Sequence, residues 1–265
     1  REYDALVIRS VTRIDDTFAQ AVRDSRLRIV ATATSGEDHV DVHALAQAGI
    51  GFASAKGCNA DAVAQWVMWA LARLATQRSH EIIRRVGIVG FGHTGRRVAR
   101  CLQVLGVPVV ACDPPLRAAL QEGPARAALH GPSTPHLDAL PAEVMWASLD
   151  ELIGQCSAVS LHVPLCRVGP YPTLGLIGAE QLRSSVMAWC NASRGTVFSE
   201  AALLRVHDEP SLPAPVAALD VWTGEPAVEA RWLARPACIP IPTPHIAGHT
   251  QEAKSRALTL LHDPI

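Results

Sequence analysis

The 265-residue chain has no C-x-x-C pair, although it carries seven cysteines, at positions 58, 101, 112, 156, 166, 190 and 238. Odd in number and scattered, they give neither a disulfide framework nor a zinc-ligand spacing, and a reducing, cytoplasmic compartment is the expectation. Excess charge of either sign is also missing: 24 Lys and Arg stand interleaved with 25 Asp and Glu, for a net charge of -1. That excludes a broad electrostatic footprint for nucleic acid or an anionic membrane, so any phosphate must be held locally. No apolar run reaches the roughly 18 residues needed to cross a bilayer, and "REYDALVIRS" lacks a basic-then-apolar signal pattern. No internal repeat is visible. No methionine opens the chain, which leads to the expectation that this is a piece of a longer protein.

What is present suffices for a sizeable core: 49% of the residues are hydrophobic and 18% charged, with room for two domains. "ALVIRS", "RIVATAT" and "IGFASA" read as buried strands, with "DVHALAQAG" a helix between the last two, which is βαβ organisation. "NADAVAQWVMWALARLATQ" places Val63, Trp66, Val67, Ala70, Leu71 and Leu74 at helical spacing, with Asn59 as N-cap. A second alternating series follows: strand "RVGIVG", helix "TGRRVARCLQVLG", strands "VPVVACD", "AVSLHVP" and "VMAWCNAS", helix "SEAALLRVH", and strands "PVAALDVW" and "CIPIPT". The predicted fold class is α/β, built on a doubly wound parallel sheet of the Rossmann kind. Residues 114 to 142, rich in Pro, Gly and Ala, read as an irregular insertion.

In "RVGIVGFGHTGRRVARCLQVLGVPVVACDPP", Gly90, Gly92 and Gly95 form G-x-G-x-x-G directly after a strand and at the start of a helix. Such a turn lets the backbone approach a pyrophosphate seated on the helix N-terminus. The next strand ends in Asp113, placed to accept hydrogen bonds from ribose hydroxyls and to repel a 2'-phosphate, so NAD is expected over NADP.

Arg194, Glu225 and His245 lie on loops after three later strands. A guanidinium can hold a carboxylate with a two-point fork, a neutral imidazole can take a proton near pH 7, and a neighbouring carboxylate would raise its pKa. Singly, each has a blander reading as a loop charge, a turn residue or a core histidine. His245 and His249, four apart in "TPHIAGHT", are by spacing alone core residues, metal ligands or a base. His39 and His43, with Asp38 and Asp41, have a spacing that suits a metal. The plainer reading is a turn and helix start capped by Asp38, and no metal is expected.

"SRG", "LDVWTGEP" and "TPHIAGHT", in that order after G-x-G-x-x-G, resemble the signature blocks of the D-isomer-specific 2-hydroxyacid dehydrogenases. The resemblance implies catalytic roles for Arg194, Glu225 and His245, with His245 the base. It implies NAD contacts at Gly90, Gly92, His93, Thr94, Gly95, Asp113, Ala192, Ser193, Asp220 and Gly248, and substrate contacts at Ser10, Thr34 and His249. It also implies a domain plan: a flavodoxin-like substrate domain over 1–78, the dinucleotide-binding domain over 79–249, and a return segment to the substrate domain over 250–265. "VIRSVTRID", "ATATSGEDHVD", "GIGFASAKGCNADAV", "CDPP", "GPYPTLGLIG" and "PHIAGHTQEAKSRA" narrow the resemblance to a branch that oxidises the C2 hydroxyl of a small phosphorylated hydroxy acid in pyridoxal phosphate biosynthesis. A homodimer of the full-length protein, and no nucleic-acid or membrane partner, follow from it.

The chain departs from that branch at His249, where Tyr is usual, at Val163, where Thr is usual, and at Gln65, where Glu is usual. The branch's opening βαβ segment and its C-terminal dimerisation domain have no counterpart between Arg1 and Ile265, so the substrate domain is expected to be incomplete at its N-terminus. Alternatives are a relative acting on phosphoglycerate, glyoxylate or hydroxypyruvate, an NAD-sensing scaffold without catalysis, and a degenerate piece without activity.

Overall fold

A computed structural model describes residues 3–121, 144–209 and 214–262. The chain divides into two units, one formed by residues 1–62 with 248–265 and the other by 63–247.

The first unit is built on three parallel strands, β1 (Ala5–Ile8), β2 (Ile29–Thr32) and β3 (Gly51–Ser54), side by side in chain order. Alternate residues along each strand face opposite sides. Val30 accordingly joins Ile8, Ile14, Leu45 and Ile50 in one core. Ala31 turns the other way, to Ala55, Cys58 and, from the helix Gln251–His262, Ala257 and Leu261. The helices Asp16–Val22 and Val42–Gln47 begin where Asp15 and Asp41 accept the N–H groups of Phe18 and Ala44. The second cap is therefore Asp41 rather than Asp38, because only the residue just before the helix can turn its carboxylate onto an unpaired N–H of the first turn.

The second unit carries seven parallel strands: β4 (Val86–Val89), β5 (Val109–Cys112), β6 (Met145–Trp146), β7 (Ala158–Leu161), β8 (Ala188–Asn191), β9 (Val216–Leu219) and β10 (Ile241–Pro242). Their order is β10-β9-β8-β7-β4-β5-β6. Every residue of β4, β5, β7, β8 and β9 is buried, as expected of inner strands covered on both faces. Val86, Ile88, Val109, Ala111, Ala188 and Val216 face one layer, which includes Val98 and Leu102 of the helix His93–Val104. Val89, Val110, Val159, Trp189 and Ala217 face the other, which includes Leu152 of the helix Leu149–Gln155 and Leu203 of the helix Glu200–His207. Chain order reverses between β4 and β7, which opens a crevice at the carboxyl ends of these strands.

The structure also departs from the sequence reading around the helix Ala60–Gln77 and after Asp113. The helix Ala60–Gln77 sends Val67, Ala70, Leu71 and Leu74 into the core of the second unit, so the division falls at residue 63 instead of after residue 78. An apolar stripe goes with the core that buries it, whichever strand precedes it. The start of the supposed insertion is a helix, Pro114–Gln121. Asp113 accepts the N–H of Leu116 at 3.0 Å, and prolines in a first turn sacrifice no intrahelical bond. The remainder of that segment, from residue 122 to 142, lies outside the described residues.

Leu152 is fully buried, and a Cβ added at Gly87 of β4 would stand 2.3 Å from its side chain. The glycine makes room for the leucine. Leu152→Ala is therefore expected to cost about 2–5 kcal/mol of stability through lost burial and the cavity left behind, read as a fall in the denaturant midpoint. A cost under about 1 kcal/mol would show that the layer over β4 collapses freely.

Candidate active site

The glycine-rich loop follows from what its neighbours leave room for. Gly90 has φ of +88°, and a Cβ there would lie 2.5 Å from the carbonyl oxygen of His162, the residue after β7. A Cβ at Gly95 would lie 2.1 Å from the oxygen of Gly90, while nothing stands within 4 Å of one at Gly92. Gly90 and Gly95 are thus closed against the fold, and Gly92 is open. The next helix starts at His93, with Thr94 and Gly95 in its first turn, and the first N–H groups of a helix have no acceptor within the helix itself. A cradle of this form suits a pyrophosphate, and the residues present fit NAD. Asp113 stands at the end of β5. Its Oδ2 accepts the N–H of Phe91 at 2.7 Å and its Oδ1 that of Leu116 at 3.0 Å. Each oxygen keeps a second acceptor position, the capacity a ribose hydroxyl needs. Burial holds the His162 ring well below the ordinary histidine value, at about 3, so it stays neutral, with Nε2 2.9 Å from Ser160 Oγ. Val163 Cγ1 would meet a Cβ at Gly90 at 2.9 Å, so this departure fills space against the loop.

Arg194, Glu225 and His245 come together because β8, β9 and β10 are adjacent and end level. Asn191 pairs with Leu219, and Thr243 donates its N–H to the Leu219 carbonyl at 2.9 Å. Each strand end then folds its own loop. Asn191 Oδ1 accepts the N–H and hydroxyl of Ser193, at 3.0 and 2.8 Å, and its Nδ2 donates to the Arg194 carbonyl. Asp220, 1% exposed, accepts the Thr243 hydroxyl at 2.5 Å and the N–H groups of Ile246 and Ala247, each at 2.8 Å. Glu200, also buried, accepts the N–H and hydroxyl of Thr223 at 2.8 and 3.0 Å. A Cβ at Gly195 would stand 2.1 Å from the Trp222 carbonyl, so the loop bearing Arg194 lies backbone against backbone on the one bearing Glu225.

His245 has φ of +55°, a left-handed conformation that costs a non-glycine residue about 1–2 kcal/mol. The bonds from Asp220 to the two following N–H groups hold it there. Its Nδ1 lies 2.6 Å from Glu225 Oε2, and Glu225 Oε1 accepts the Trp222 N–H at 2.5 Å. A carboxylate only accepts, so Nδ1 carries the hydrogen, and in the neutral ring Nε2 presents its lone pair. The bond to Glu225 raises the His245 pKa above its ordinary 6.5, against the opposing effects of burial and of Arg194. Burial pushes the Glu225 carboxyl up, but the bonds from His245 and Trp222 and the charges of His245 and Arg194 outweigh it, and the net shift is downward from 4.5. The histidine's contribution to stability is thus full below pH 6.5 and is lost as pH rises through its raised value. The glutamate's is full above pH 4.5 and is lost as pH falls through its lowered value.

The other residues singled out from sequence sit elsewhere. Ala192 and Ser193 are in the turn ahead of Arg194, with Ser193 buried on Asn191. Ser10, Thr34, Gly248 and His249 belong to the first unit. Ser10 is exposed just after β1, and Thr34, after β2, donates to the Gly36 carbonyl and meets Thr32 Oγ1 at 2.8 Å. A Cβ at Gly248 would stand 2.6 Å from Asn59 Nδ2, a packing reason for that glycine. His249 is exposed, just ahead of the helix Gln251–His262. Sequence reasoning missed Asn191, Glu200 and Trp222. A polar residue closing an otherwise apolar strand was the available signal for Asn191.

The family model for the NAD-binding domain of D-isomer specific 2-hydroxyacid dehydrogenases matches residues 59–247. The erythronate-4-phosphate dehydrogenase of Escherichia coli O157:H7 is 39% identical over 259 residues, covering 97% of this chain, and that of Shigella flexneri is equally similar. The chain spans 61% of the length of these relatives. Among solved structures, a 3-phosphoglycerate dehydrogenase of Entamoeba histolytica shares the fold with a TM-score of 0.74 at 21% identity, covering 99% of this chain and 78% of that one. A D-lactate dehydrogenase of Aquifex aeolicus does so at 0.71 and 20%, covering 99% and 82%.

The position of Asp113 yields a cofactor prediction. NAD is expected to bind at least about tenfold more tightly than NADP, since a carboxylate facing a 2'-phosphate costs more than about 1.4 kcal/mol. Asp113→Ser should narrow the gap. Equal affinities of the unaltered protein for both dinucleotides, by calorimetry, would remove Asp113 from cofactor selection.

Proposed function

Because the chain belongs to the D-isomer specific 2-hydroxyacid dehydrogenases, we propose that it oxidises the C2 hydroxyl of 4-phosphoerythronate to the 2-oxo acid, within pyridoxal phosphate biosynthesis. The observation that carries the chemistry is the 2.6 Å bond between His245 Nδ1 and Glu225 Oε2, which leaves Nε2 as the base. The name borne by the relatives at 39% identity supports the substrate, as do the "CDPP" and "GPY" blocks of the sequence.

In this reading Nε2 of His245 takes the C2 hydroxyl proton as the C2–H bond breaks and C2=O forms. Bound NAD supplies the acceptor for the hydride. Glu225 stabilises the imidazolium that results, and Arg194 holds the substrate carboxylate in a fork and polarises the growing carbonyl. Ser10, Thr34 and His249 are its substrate contacts, with donors suited to carboxylate or phosphate oxygens. Seven free thiols suit a reducing, cytoplasmic compartment, and a homodimer of the full-length protein completes the reading.

NADH formation is the test. With 4-phosphoerythronate the rate should exceed that with phosphoglycerate, and the reverse assay with glyoxylate or hydroxypyruvate should be slower still. His245→Gln should lower turnover by roughly 10² to 10⁴ while NAD binding is retained. Full activity in His245→Gln would assign the base elsewhere, and preference for another acid would replace the substrate.

A further inference from the structure

Trp222 touches all three loops of the second unit that carry Arg194, Glu225 and His245. Its backbone N–H donates to Glu225 Oε1 at 2.5 Å. Its indole Nε1–H donates to the Thr243 carbonyl at 2.9 Å, two residues before His245. Its own carbonyl lies where a Cβ of Gly195, next to Arg194, would be, at 2.1 Å. The ring is 4% exposed and packs in the core that also holds Trp189, Phe198 and Trp232.

We propose that Trp222 is a positioning residue for the reaction, whose indole N–H fixes the loop of the base against the loop of its carboxylate partner. The proposal rests on the function assigned above, and it adds a specific donor to it. The segment 243–247 must keep His245 left-handed, which the residue itself disfavours. Asp220 secures the segment through the Thr243 hydroxyl and the N–H groups of Ile246 and Ala247. The Thr243 carbonyl takes no part in those bonds, and the indole donates to it. The indole is 4% exposed and the bond is part-buried, so replacing it with water carries a cost. The other indoles of this core do not share the arrangement. Among the described residues, Nε1 of Trp189 and Nε1 of Trp232 are buried without a hydrogen-bond partner, so neither indole N–H ties a loop in place. At Trp222 the N–H is used, and it is used on the segment that bears the base.

The consequence is a bond geometry. Without the indole donor the Thr243 carbonyl loses its tie to the core, the segment shifts, and the 2.6 Å contact from His245 to Glu225 lengthens. The charged groups that act on His245 are Glu225, Asp220 and Arg194. Of these, the Glu225 bond is the largest effect and the one a displacement of segment 243–247 weakens most.

Two variants separate positioning from bulk. Trp222→Phe removes the N–H and part of the ring. Replacement of Trp222 by 3-benzothienylalanine keeps the ring's size and puts sulfur where the N–H was. The primary readout is the imidazole titration of His245 by NMR in the protein without substrate, with Glu225→Gln as the reference for a lost partner. Both Trp222 replacements should move the His245 midpoint downward, toward that of Glu225→Gln. They should lower turnover about ten- to a hundredfold with the Kd for NAD unchanged. If Trp222→Phe fails to fold, the isostere decides alone. A native His245 midpoint in the isostere would overturn the proposal, whatever its melting temperature. Should the unaltered protein oxidise no hydroxy acid, the functional reading falls, yet the titration still decides whether Trp222 sets the His245–Glu225 pair.

Discussion

The buried carboxylate of Asp220 is the interaction on which the rest of the site depends. An acidic group with 1% exposure is stable only where donors replace the water it has lost. All three donors come from one five-residue stretch: the Thr243 hydroxyl and the N–H groups of Ile246 and Ala247. The requirement runs both ways. The carboxylate needs the loop in this conformation, and the loop keeps His245 left-handed only while the carboxylate accepts from both of the following residues. From that fixed backbone the imidazole reaches Glu225, and a lone pair is presented at Nε2. Remove the acceptor, and two N–H groups and a hydroxyl lose their partner together.

The fold supplies this carboxylate with its place. In a parallel sheet every strand runs the same way, so β8, β9 and β10 deliver Asn191, Asp220 and Thr243 to one edge at one level. Strand interiors are apolar because both faces are covered, and the polar chemistry begins where the strands stop. The same edge carries the glycine loop after β4 and Asp113 after β5. The cradle and the His245–Glu225 pair thus share one layer of the second unit, and their relative placement is set by sheet register rather than by long loops.

Much of this was legible in the residues. Continuous apolar runs ending in Gly90, Asp113, Asn191 and Asp220 mark inner strands of a doubly wound sheet, and "SEAALLRVH" reads directly as a helix. The roles of Gly90 and Gly95 also follow from pattern, since only a residue without Cβ fits 2.5 Å or less from a carbonyl. The remainder required the structure because it depends on contacts distant in sequence. Asp220 read as a cofactor contact, yet the three bonds described for its carboxylate reach residues 23 to 27 positions away. Glu200 read as one residue of a helix, and Trp222 as part of a motif. The helix at Pro114 was hidden by a composition that marks a loop everywhere except in a first turn. The division at residue 63 was hidden because helical periodicity states which face is apolar but not which core receives it.

Whether Glu225 tunes His245 as the base is decided by the pH dependence of turnover. The proposed reaction needs neutral His245, whose pKa is raised above 6.5 by the Glu225 bond. Turnover in the direction of NAD reduction should therefore rise with pH through a single ionisation whose midpoint lies above 6.5, and in Glu225→Gln that midpoint should move down while the maximal rate falls. A profile with the same midpoint in both proteins would contradict the account, since it would place the titrating base outside the His245–Glu225 pair.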